Sequence, residues 1–118
     1  MGYIAHDAVM VTASDYTEMP DVDAFRRSLP EEWRPLVIGP IRSLTNGYLH
    51  FIFLPDGSKE GWDTSDQGDE YRQQFADLFS IGCSDGSSPF DIVKIRYGGD
   101  DYDHASAEPV LDYQHLLA

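Results

Sequence analysis

Apolar positions recur along this chain with two different periods, and each change of period marks a new element. Residues 5–14, AHDAVMVTAS, carry small and β-branched apolar side chains on both faces between Ala8 and Val11, which predicts a strand in the interior of a sheet. Val22, Phe25, Leu29 and Trp33 follow at helical spacing behind Pro20 and early acids. They read as a first amphipathic helix, interrupted or restarted at Pro30. LVIGPIRSL, residues 36–44, returns to strand character, but Pro40 cannot donate to a ladder and Gly39 weakens the interior, so an edge strand with a bulge is expected. Asn46-Gly47 marks a hairpin. In YLHFIFL, residues 48–54, Leu49, Phe51 and Phe53 face one way and Tyr48, His50 and Ile52 the other. A second helix is predicted over residues 66–80 from Tyr71, Phe75, Leu78 and Phe79, with Gly82 placed to stop it. In FDIVKIRYG, residues 90–98, Val93, Ile95 and Tyr97 face one way. Lys94 and Arg96 face the other, as charges protecting a sheet edge would.

The order strand, helix, strand, strand, helix, strand predicts an α+β, ferredoxin-like split βαβ fold (βαββαβ): a four-stranded antiparallel sheet with two helices on one face. Two right-handed crossovers would put the first and third strands inside and the second and fourth at the edges. At 118 residues the chain is expected to form a single domain over residues 1–98, followed by an acidic C-terminal tail over residues 99–118. Val110, Leu111, Leu116 and Leu117 give that tail the means to dock.

Charge narrows the function. Twenty-one Asp and Glu against eight Lys and Arg give a formal charge of −13, which repels nucleic-acid backbones and anionic membranes. It favours a basic protein partner, including one whose own groove is built for DNA or RNA. With Cys83 alone no internal disulfide can form, and the N-terminus has neither the basic start nor the apolar run of a signal peptide. No apolar run reaches membrane-spanning length.

Two stretches invite a chemical reading. In PDGSKEGWDTSDQGDEY, residues 55–71, a calcium loop begun at Asp63 would need a closing carboxylate where Gln74 stands. A structural entry to the second helix accounts for more residues. Pro55-Asp56-Gly57 makes a turn, Trp62 covers the core edge, Thr64, Ser65 or Asp66 caps the helix, and Asp69 and Glu70 complement its dipole. YGGDD, residues 97–101, is similar to the metal-binding hairpin motif of palm-type polymerases and cyclases, and a metal-dependent nucleotide-handling enzyme would use Asp7 with Asp100 and Asp101. Against it, the motif follows the last predicted strand, YDHASAEP makes a poor returning strand, and no phosphate cradle is visible. Asp100, Asp101, Asp103 and His104 would hold a divalent ion only adventitiously. Cys83 reads as a small buried hydrophobe rather than a nucleophile partnered by His6, His50 or His104. His50 belongs on the exposed sheet face. No cofactor, metal or catalytic residue is expected.

NGYLHFIFLPDGSKEGW, SDQGDEYRQQFADL and DGSSPFDIVKIRYGGDD together resemble a family of small proteins encoded by bacteriophages and prophages. The resemblance spans roughly residues 3–101. It rests on Asn46, Gly47, Tyr48, residues 55–62, Ser65, Asp66, Gly68, Asp69 and the loop at residues 85–89. It implies a non-enzymatic accessory protein acting in the host cytoplasm on a host nucleic-acid-handling or defence protein, in the manner of an anti-CRISPR protein. The carboxylates of Asp63, Asp66, Asp69, Glu70, Asp100, Asp101 and Asp103 would meet the basic partner, with Tyr48 and Trp62 as anchors. A small-molecule-sequestering oligomer, a homodimer paired across the open sheet face through Tyr48, His50 and Ile52, is the remaining alternative.

Overall fold

β1 (His6–Ser14) is the axis of the sheet in the computed structural model, which describes residues 5–59, 61–80, 88–98 and 106–109. On one side it pairs with β3 (Tyr48–Phe53), from Val9 opposite Phe53 to Ser14 opposite Tyr48. On the other it pairs with β4 (Phe90–Tyr97), from His6 opposite Tyr97 to Ala13 opposite Phe90. β2 (Val37–Arg42) closes the β3 side and β5 (Ser106–Pro109) the β4 side, giving the antiparallel order β2-β3-β1-β4-β5.

The fold is thus α+β with β1 and β3 internal and β2 at an edge, but the expected four-stranded ferredoxin-like sheet gives way to one of five strands. β5 lies within residues 99–118, expected to be a tail, and is a returning strand formed from the YDHASAEP stretch whose residues predict a poor one. Four residues including a proline carry little strand signal, yet an edge strand tolerates proline because one side of its ladder needs no donor. β4 is therefore internal, and Lys94 and Arg96 do not guard an edge. They share the helix-covered side of the sheet with Val9 and Asp7, their partners across the ladder.

That side holds the core. Val9, Val11 and Ala13 of β1, Phe51 and Phe53 of β3, and Phe90 and Ile92 of β4 are buried there, as the alternation of period two requires. Over them lie Val22 of α1 (Val22–Ser28), Trp33 of a 3₁₀ segment (Glu31–Leu36), and Phe75, Ala76 and Phe79 of α2 (Asp63–Phe79). The two helices and the 3₁₀ segment thus bury their apolar stripes in one cluster. Edge-to-face rings tie its layers: Phe75 meets Phe53 at 5.8 Å between centroids, and Phe79 meets Phe90 at 5.2 Å.

Local chemistry sets the element ends. Asp21 caps α1 by accepting from the Ala24 amide at 2.9 Å, and the chain restarts as the 3₁₀ segment after Pro30, as expected. β2 carries the expected bulge, with its register shifting between Ile38 and Ile41. Gly39 there has φ +126°, and a Cβ would stand 2.6 Å from the His50 carbonyl oxygen, so only glycine fits. Arg26 donates to the Val37 and Gly39 carbonyls at 3.1 and 3.0 Å, fixing the bulge to α1.

α2 begins one turn earlier than predicted. Trp62 occupies the N-cap position without a side-chain cap bond, so Thr64, Ser65 and Asp66 are helical residues and not caps. Asp63 and Asp66 in the first turn complement the dipole in place of a cap. Gly82, Cys83 and residues 85–87 lie outside the described residues. Among the described residues no helix is long and apolar enough to cross a membrane.

Candidate functional site

The outward side of α2 carries a row of exposed acids. Helical periodicity places Asp63, Asp66, Glu70, Gln74 and Asp77 at successive steps of three or four, a single stripe about 21 Å long at 1.5 Å per residue. All five are exposed. Gln74 donates to Glu70 at 3.4 Å and Gln73 to Asp77 at 2.8 Å, so amides alone separate the carboxylates along the helix. Asp69 stands to one side of the stripe and accepts from Arg72 at 2.9 Å.

The stripe both helps and strains the helix: Asp63 and Asp66 suit the N-terminal dipole, but the acids repel one another. Asp63 with Asp66 and Asp66 with Glu70 are like-charge neighbours, each costing about 0.2–0.5 kcal/mol. Asp77 lies in the last turn, where the dipole favours a cation, and no basic residue stands in that turn. At the N-terminal end of the same helix Trp62 is 53% exposed, with the Lys59 ammonium 5.7 Å from its ring centroid. It does not cover the core edge as expected; of the two tryptophans it is Trp33 that is buried, its ring 5.1 Å from that of Tyr71.

Of the residues expected to meet a partner, Trp62, Asp63, Asp66, Asp69 and Glu70 fall together on or beside this surface. Tyr48 is separated from them by the sheet: it is exposed on the helix-free side, opposite Ser14. Asp100, Asp101 and Asp103 lie outside the described residues. Asp77 joins the stripe without having been among the expected contacts, because it stands apart from the acid-rich start of the helix and only the helical period brings it into line. Counting three and four residues on from Glu70 finds it.

The entry stretch before α2 is tied under the helix. Asp56 accepts through Oδ1 from the Ser58 amide and hydroxyl at 3.1 and 3.0 Å, confirming a turn there. Its Oδ2 is buried over Gly68 beside the Arg72 guanidinium, and neither Asp56 Oδ2 nor Arg72 Nη1 has a hydrogen-bond partner among the described residues.

Arg72 also borders a cleft of about 410 Å³ between α2 and the β1–β4 end of the sheet, lined by Asp7, Asp69, Gln73, Lys94 and Arg96 among others. Lys94 Nζ donates to Gln73 Oε1 at 2.7 Å, and Arg96 lies 3.8 Å from Asp7. Among the described residues the cleft thus sets Arg72, Lys94 and Arg96 beside Asp7 and Asp69. Asp7 faces cations in this cleft. The returning strand removes one objection to a YGGDD hairpin, while Asp100 and Asp101 are not among the described residues. Among those described, no three His, Cys, Asp or Glu side chains converge as metal ligands would. His50 lies on the helix-free face, half-buried, sharing a 2.9 Å hydrogen bond with Thr12 Oγ1.

No family model matches this chain, and no curated protein or solved structure is significantly similar to it.

Proposed function

We propose that the protein is a non-enzymatic binding module that engages a basic protein surface through the acidic stripe of α2, with Trp62 as its aromatic anchor. One observation carries this reading: four exposed carboxylates on one stripe of one helix, held there against their mutual repulsion and, at Asp77, against the dipole. A cationic partner relieves both costs on binding. The spacing of the acids along about 21 Å suits a partner with a row of Lys and Arg, such as a groove that otherwise holds a nucleic-acid backbone. A host nucleic-acid-handling or defence protein is the partner class that the phage resemblance adds, with the host cytoplasm as the setting. Asp100, Asp101 and Asp103, outside the described residues, stay candidate partner contacts in this proposal, and Tyr48 belongs to a different contact.

The test is retention of proteins from host lysate on immobilised wild type and on the triple variant Asp63→Lys, Asp66→Lys, Glu70→Lys. A partner held by wild type at low salt, released by high salt and lost by the variant supports the reading. Equal retention by both removes the stripe from it. Trp62→Ala is expected to weaken the same interaction by about 2 kcal/mol, a typical anchor value, measured by titration calorimetry with the retained partner.

A further inference from the structure

The side of the sheet turned away from the helices carries a continuous apolar row across all five strands. Ile38 of β2 stands opposite Ile52 of β3, Ile52 opposite Met10 of β1, Met10 opposite Val93 of β4, and Val93 opposite Pro109 of β5. Ala8, Ile95 and Ala107 form the next row. Of the seven large apolar side chains exposed among the described residues, Met10, Ile41, Tyr48 and Tyr97 are on this side, so exposure is concentrated here rather than scattered. Among the described strand residues facing this way Asp91 is the single charged group, in a chain with 29 Asp, Glu, Lys and Arg.

We infer that this face docks against the same face of a second copy of the chain, forming a two-fold dimer of stacked sheets. Charge selects the occupant. Two copies at −13 each repel wherever their carboxylates meet, and this is the described face on which apolar rows meet instead. A basic partner of the kind proposed for α2 would find only Asp91 here. The sheet edges favour face-to-face contact over strand addition: β2 is broken by its bulge and Pro40, and β5 is four residues long and ends in Pro109. The area suffices. Five strands of four to nine residues, at about 3.3 Å per residue and about 4.8 Å apart, present about 520 Å² per copy, or about 1,050 Å² in all, which clears the roughly 1,000 Å² that a specific interface needs.

Sedimentation equilibrium of the full chain, from low to high micromolar, tests this. Wild type is expected to dimerise, and Met10→Glu and Val93→Glu each to weaken the dimer at least tenfold. Both sites are partly exposed, so each variant should keep the wild-type circular dichroism spectrum. Added salt should strengthen the dimer by screening the repulsion between copies, the reverse of its effect on α2 binding. Reversal of charge at Asp63, Asp66 and Glu70 should leave the dimer contact in place, which keeps the two proposals separable. A wild-type chain that stays monomeric throughout, or a dimer that survives both substitutions, overturns the inference.

Discussion

Gly68 occupies the interior of α2, where alanine would ordinarily be favoured by about 1 kcal/mol. Here a Cβ would stand 2.6 Å from Asp56 Oδ2 and 3.0 Å from both terminal nitrogens of Arg72. Gly68→Ala is therefore expected to lower stability by about 1–3 kcal/mol, read by urea unfolding; a gain would show that Asp56 and Arg72 yield readily. At this scale the sequence was partly legible. The Pro55-Asp56-Gly57 turn follows from residue chemistry, and so does the hairpin at Asn46 and Gly47, whose φ of 67° and 64° match the turn such a pair favours. The reach of Asp56 Oδ2 beneath α2 was not legible, because it depends on where a helix beginning several residues later comes to rest.

At the scale of one element, α2 joins a buried apolar stripe to an exposed acidic one. Its inner stripe is ordinary: Phe75 is fully buried between Phe25, Phe53 and Phe79, and Phe75→Ala should cost about 3–5 kcal/mol in chemical denaturation. Its outer stripe is the unusual part. Asp77→Lys places a cation where the dipole favours one and should stabilise the fold by about 0.5 kcal/mol, seen as a higher urea midpoint, while weakening partner binding. Loss of stability in that variant would mean that Asp77 serves the helix and not a partner. The inner stripe was legible from its period alone. The first turn was not, since DTSDQG offers several cap residues and the structure uses none of them. β5 escaped notice because a short edge strand is specified by the pairing that β4 offers and hardly by its own residues.

Over the whole molecule the two faces divide the available chemistry. Carboxylates line the outside of α2, and among the described strand residues the far side of the sheet carries Asp91 as its one charged group. The charge total was legible from the sequence and suggests the sign of the proposed partner; only the fold shows that Tyr48 and Trp62 lie on opposite sides of the sheet. With −13 on 118 residues, self-repulsion opposes folding, so the melting temperature should rise with added salt across the range where screening grows. A flat response would mean that the acids are already balanced locally. The most direct test of the central claim uses a partner retained from lysate and measures its affinity for wild type and for the triple reversal at Asp63, Asp66 and Glu70 across a salt series. The stripe predicts tight binding by wild type that falls steeply with salt and is absent in the variant. Equal affinities with equal salt slopes would contradict it.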